Sequence, residues 1–149
     1  MGTKYNGTDK EKLALDLYIK LSRAEATVTM KGLEILDNSG LSLGQFGILE
    51  TIYHLGPLVQ KDIATKHLST GANITQLLNK LEEKKMIVRQ RDSQDKRRLY
   101  INLTDKGKKL MKQLIPSLGK KMVSIMSPLN STEQKQLSGL LKKLGTHPN

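Results

Sequence analysis

The spacing of apolar residues along this chain is helical almost everywhere and changes in one place. At Met86-Ile87-Val88 the period drops to alternation, and Val88–Arg91 and Leu99–Leu103 read as two short strands. The residues between them, Asp92-Ser93-Gln94-Asp95-Lys96-Arg97-Arg98, are left to form a hairpin loop. Leu99, Ile101 and Leu103 make the face that pins the second strand to a core. The chain is therefore mainly α with a small β-hairpin.

Capping and turn signals divide the helical remainder. Thr8-Asp9-Lys10-Glu11 is a capping box, and Leu13, Leu17, Leu21, Ala24 and Val28 follow it at three- and four-residue spacing. This predicts a long amphipathic helix reaching Leu36, stopped by Asp37-Asn38-Ser39-Gly40. Ser42-Leu43-Gly44-Gln45 opens a second helix carrying Phe46, Leu49, Ile52 and Tyr53, which ends before Gly56-Pro57. A short helix spans Val59–His67, with Ile63 and Ala64 inward. After a break at Ser69-Thr70-Gly71, Ile74, Leu77, Leu78 and Leu81 line one side of the next helix, and Asn73, Gln76, Asn79 and Lys80 the other. Beyond the hairpin, Thr104 has the look of an N-cap for a helix running from Leu110 to Met126. Pro116 should kink that helix and Pro128 end it. Ser131-Thr132-Glu133-Gln134 caps a last helix with Leu137, Leu140, Leu141 and Leu144, closed by Gly145.

Charge is segregated along the chain. The net charge is +11 over 149 residues; residues 1–58 carry −1 and residues 59–149 carry +12. Within 89–107 alone, Arg89, Arg91, Lys96, Arg97, Arg98 and Lys106 stand against three acids. An excess confined to one part of a chain is the electrostatic footprint of a nucleic-acid binder. No apolar run approaches the ~20 residues of a membrane span. The polar start, MGTKYNGTDKEK, has no secretory core, so a cytoplasmic protein with no membrane partner is expected. Cysteine is absent, which excludes disulfides and thiolate chemistry.

Two short helices joined by a tight break, the second with a polar face, suit a helix-turn-helix. Asn73 and Gln76 carry amides able to pair bidentately with adenine in the major groove. Thr70 and Thr75 can bond phosphate oxygens, and Lys80 adds charge one turn on. No acid lies between Asp62 and Glu82 to repel phosphate. The hairpin directly after such a helix is a wing. Arg91, Lys96, Arg97 and Arg98 are its candidate contacts, aimed at phosphate or at the minor groove, whose negative potential attracts arginine.

Leu43–Gly107 resembles the MarR family of bacterial multiple-antibiotic-resistance regulators. The match is most specific at Asp95-Lys96-Arg97 and at Leu103-Thr104-Asp105-Lys106-Gly107, with Ile74-Thr75 and Leu81-Glu82 also in place. The resemblance implies a winged helix-turn-helix plus a helical dimerisation domain: an N-terminal dimerisation helix over 8–37, a DNA-binding lobe over 42–103, and C-terminal dimerisation helices over 104–146. It implies a homodimer on double-stranded DNA with a pseudo-palindromic operator, Arg97 entering the minor groove, Asp95 orienting it, and Thr75 on phosphate. It also implies a repressor relieved by a small anionic aromatic effector bound in a cleft. Two departures stand out. The family usually has glycine where Lys85 precedes Met86-Ile87, and many members have arginine where this chain has Lys96.

No catalytic constellation is visible: there is no nucleophile with its base, no phosphate-binding glycine loop and no carboxylate pair. His54, His67 and His147 form no metal-ligand cluster, and no cofactor is expected. Met111, Met122 and Met126 read as core packing rather than as an effector cleft. Two alternatives to the effector-controlled repressor stay open: a ligand-independent regulator of the same fold, and an architectural protein that coats DNA.

Overall fold

The computed structural model describes residues 4–67 and 71–146. Among them the chain forms α1 (Asp9–Gly32), a 3-10 turn (Leu33–Leu36), α2 (Leu43–Leu55), β1 (Leu58–Val59), α3 (Gln60–Lys66), α4 (Gly71–Glu83), β2 (Ile87–Arg91), β3 (Leu99–Leu103), α5 (Asp105–Met126) and α6 (Ser131–Gly145). The elements fall into two compact units, one spanning Ile35–Gly119 and the other joining the chain through Glu34 to the chain from Lys120.

Most caps follow the sequence. The Thr8–Glu11 and Ser42–Gln45 boxes are formed reciprocally, each side chain satisfying a free N–H at the helix start. Three details differ. The last turn of the first helix tightens to 3-10 geometry over Leu33–Leu36. Val59 opens α3 as its N-cap but also lies in β1, which pairs antiparallel with β3 and makes a three-stranded sheet of order β1-β3-β2. A two-residue strand is too short to show a period. The cap of α6 is Asn130 with Glu133, one residue earlier than the Ser131 the sequence suggested. Helix α5 runs through exposed Pro116 and stops at Met126, just before Pro128, as the sequence suggested.

In the Ile35–Gly119 unit, α2, α3, α4, β3 and the first part of α5 share one core. Ile48, Leu49, Ile52, Ile63, Ile74, Leu78, Leu81, Ile101 and Met111 are fully buried. The alternating strand is only partly pinned: Ile101 and Leu103 are buried, whereas Leu99, near the loop, is 40% exposed.

The joint between α4 and β2 orders this unit. Met86 N–H bonds the Leu81 carbonyl (3.0 Å) and Lys85 N–H bonds that of Glu82 (2.8 Å). This is a Schellman closure, and it requires a left-handed residue at Lys85, whose φ is 57°. Lysine therefore occupies the conformation that the family's glycine adopts without strain. The start of α5 then clasps the joint. Thr104 donates its hydroxyl to Lys85 O (2.6 Å) and accepts from Gly107 N–H (3.1 Å), and Lys106 Nζ reaches Lys84 O (3.0 Å). Thr104 N–H bonds Met86 O (3.0 Å). A Cβ on Gly107 would collide with that same Met86 oxygen, so only glycine lets α5 begin this close. The carbonyls at the end of α4 are thus satisfied by the Leu103–Gly107 motif.

In the other unit, Glu34 pairs with Lys121. Gly32 is the buried residue of α1, and α6 buries none. Leu13 is 72% exposed, and Leu17, Tyr18, Met30, Leu137, Leu140 and Leu144 are exposed with it.

Relief of the left-handed strain at Lys85 should make Lys85→Gly more stable by about 0.5–1 kcal/mol, seen as a higher urea midpoint. Gly107→Ala should lose about 3 kcal/mol by the same assay, because backbone must move to admit the methyl group.

Candidate nucleic-acid interface

Helix α4 turns Ile74, Leu78 and Leu81 inward. Its outer surface holds two stripes at three- and four-residue spacing. Asn73, Gln76 and Lys80 form one, and they are exposed. Thr75, Asn79 and Glu82 form the other, and this stripe is tied to neighbouring elements. Gln60 Nε2, at the start of α3, donates to Thr75 Oγ1 (2.6 Å). Arg89, on β2, donates to Asn79 Oδ1 (2.8 Å) with one guanidinium nitrogen and to the Glu82 carboxylate with another. Thr70, the remaining candidate on this side, lies outside the described residues.

The hairpin loop is built on two carboxylates. Asp92 Oδ1 accepts from the N–H groups of Gln94 and Asp95, both at 2.8 Å. Those donors, Asp95 first, hold the Asp92 carboxyl below its usual range. Asp95 Oδ1 in turn accepts from Arg97 N–H (3.1 Å) and Arg97 Nε (3.2 Å). The Arg97 side chain is 92% exposed, so its head is aimed from below while remaining open to a ligand. Arg91 donates across the loop to Lys96 O (2.9 Å) and braces the turn. Tyr100, through its hydroxyl, and then the nearby acids raise the Arg98 pKa, so that side chain stays charged. Lys96 and Arg98 are exposed.

The structure thus brings Asn73, Thr75, Gln76 and Lys80 onto one helix, and Arg91, Asp95, Lys96, Arg97 and Arg98 onto the adjoining hairpin. Sequence reasoning missed Gln60, Asp92 and Tyr100, and gave Arg89 and Asn79 no role. Asp92 had a readable signal, since an aspartate two and three residues ahead of free N–H groups forms an Asx turn. Gln60 and Arg89 had none, because their partners lie far along the chain. His67 Nε2 contacts Thr51 Oγ1 (3.1 Å), whose own proton goes to Gly47 O (2.9 Å), so His67 serves the packing of α2. Met111 is buried in the core, and Met122 and Met126 are half-buried. Among the described residues no group of three or more histidines and acids gathers as metal ligands. None of their helices is long and apolar enough to cross a membrane.

Two helices and a basic hairpin arranged in this way are a winged helix-turn-helix. Residues 31–114 match the family description "Transcriptional regulator SarA/Rot". The chain is 33% identical over 147 residues to the helix-turn-helix-type transcriptional regulator YkoM of Bacillus subtilis strain 168, covering 99% of this chain and 95% of that one. It is similar to the structure of a MarR family protein from Bacillus stearothermophilus (TM-score 0.76, 22% identity, 93% of this chain and 96% of that one). It is also similar to a Staphylococcus aureus MepR mutant bound to an oligodeoxyribonucleotide (TM-score 0.60, 31% identity, 85% and 94%). The chain belongs to the MarR/SarA family of helix-turn-helix transcriptional regulators, which are not enzymes.

The folded Asp92 carboxyl is more acidic than the unfolded one. Its stabilisation of the loop is therefore present above the ordinary aspartate range and is lost as pH falls through the depressed value. The amide shifts of Gln94 and Asp95 should titrate together, below the ordinary aspartate range, in an NMR series. A common midpoint above that would mean the carboxylate is not held by these donors.

Proposed function

We propose that the chain is a homodimeric repressor that binds a pseudo-palindromic double-stranded DNA operator through α4 and the wing, and that a small anionic aromatic effector releases it. The observation that carries this reading is the union, on one lobe, of an outward polar stripe on α4 with a basic hairpin tip. Asn73 and Gln76 present amides suited to adenine. Thr70, Thr75 and Lys80 take phosphate oxygens. Arg97, steered by Asp95, enters the minor groove, while Arg91, Lys96 and Arg98 follow the backbone beside it.

Dimerisation rests on the apolar faces of α1 and α6. A helix of fifteen residues that buries none of them has little to hold it in water. Covering Leu137, Leu140 and Leu144 with a second copy would recover about 25 cal/mol per Å² of apolar surface. Residues 8–37 and 104–146 then supply the dimerisation helices, and 42–103 the DNA-binding lobe. Two-fold symmetry puts the half-sites roughly one helical turn apart. The effector acts by favouring a dimer state whose α4 helices are badly spaced for successive grooves.

Sedimentation of the purified protein should give a dimer, and gel shift should show a preference for selected over random duplex. A stable monomer would sink the reading, and equal affinity for every duplex would favour DNA coating instead. Thermal shift against a panel of phenolic acids separates the effector-controlled repressor from a ligand-independent regulator. Arg97→Ala should leave the dimer intact and weaken DNA binding about tenfold or more at moderate salt. Gln76→Ala should relax preference at single base positions, whereas Thr75→Ala should weaken all sequences alike, as read by selection from a random pool.

A further inference from the structure

Arg89 is the basic residue of the hairpin that points back into the lobe. Its side chain is 19% exposed, against 92% for Arg97. Its guanidinium forks between the Asn79 amide oxygen (2.8 Å) and the Glu82 carboxylate, both on α4. Its backbone is fixed as firmly, since in the β2–β3 ladder Arg89 stands opposite Ile101, which is 1% exposed.

We infer that Arg89 is a positioning residue, a clamp that sets the angle between the wing and α4 and thereby the spacing of groove contacts, and that it does not itself bind phosphate. Three observations lead there. The charge is already neutralised by Glu82. Turning the guanidinium towards DNA would leave that carboxylate facing a polyanion alone. The fork uses the planar two-nitrogen geometry that only arginine has, so the site is built for direction more than for charge. The clamp holds the flank of α4 formed by Asn79 and Glu82, and the loop carrying Arg97 begins just beyond Arg91. Without the fork, the hairpin is held to α4 by core packing and by the Lys85 closure, which sits at the base of the hairpin. The wing arginine and the Gln76 amide then no longer fall on the duplex at one fixed separation.

This inference rests on the DNA-binding reading above, and salt dependence separates the two. Removing a cation that neutralises one phosphate lowers the slope of log affinity against log salt by about 0.9. Arg89→Ala, Arg89→Lys, Asn79→Ala and the Asn79/Arg89 double alanine variant are compared with the unaltered protein. The probes are a duplex selected from a random pool by that protein and a random-sequence duplex of equal length. Affinity for the selected duplex should fall about tenfold in Arg89→Ala. Affinity for the random duplex should fall by less, by what the unpaired Glu82 carboxylate costs on any sequence, with the slope unchanged on both. Arg89→Lys should not restore selectivity, because an ammonium cannot make the fork. Asn79→Ala should reproduce the loss in part and add nothing in the Arg89→Ala background. This surface change keeps the test alive if Arg89→Ala folds poorly. A slope reduced by about 0.9, rescue by lysine, or full additivity of the two alanine changes would each overturn the clamp. If the unaltered protein binds neither duplex at low salt, the DNA-binding reading falls, and the clamp with it.

Discussion

The left-handed turn at Lys85 is the constraint on which the rest of the lobe depends. A helix that ends in a Schellman closure leaves in one direction only, and here that direction sends the chain into β2. The carbonyls of Lys84, Lys85 and Met86 are all taken by the Thr104–Lys106 stretch at the start of α5. Sequence-distant segments are thereby locked by hydrogen bonds around one strained residue, and α4, the hairpin and α5 share a single reference point. A second tie comes from the other side. Lys84 Nζ bonds Gly40 O and the Oε1 of Gln45 (3.2 Å), a buried polar residue that is also part of the α2 capping box. The end of α4 is therefore fixed to α2 as well as to α5.

Much of this was legible in the chain, and the legible parts share a cause. Capping boxes, the polar and apolar sides of α4 and the switch to alternation at the hairpin depend on residues close together in sequence. Their geometry follows from helix and strand periods alone. The wing motif and the Leu103–Gly107 motif could be recognised as patterns, and Lys85 stood out as a departure from glycine. What each motif does, however, is visible only in three dimensions: Gly107 is glycine because of Met86. The illegible parts are long-range side-chain pairs, such as Gln60 with Thr75 and Arg89 with Asn79, and a strand of two residues. The outward-facing apolar surface is also hard to place from sequence. On α5, Met111 and Leu114 are buried in the single chain. The larger exposed surfaces are on α1 and α6.

Charge in the basic half has more than one job, and counting residues hides this. Arg89 is neutralised, Arg91 braces a turn, Lys84 and Lys106 hold carbonyls, and Arg97 with Lys96 stands in solvent. The net excess therefore overstates the number of cations available to a polyanion. Only those whose heads are exposed can release counterions when they meet phosphate.

The order β1-β3-β2 leaves β2 with an open side, and β1 covers only two residues of β3. Open strands invite edge-to-edge addition of another chain, the usual beginning of β-aggregation. Here β2 is only five residues long and ends in the exposed Arg91, so it is short and charged where it would meet a like neighbour. Arg91, which braces the turn, thus also stands as a gatekeeper against self-association. A wing without that charge would lose the protection at high concentration.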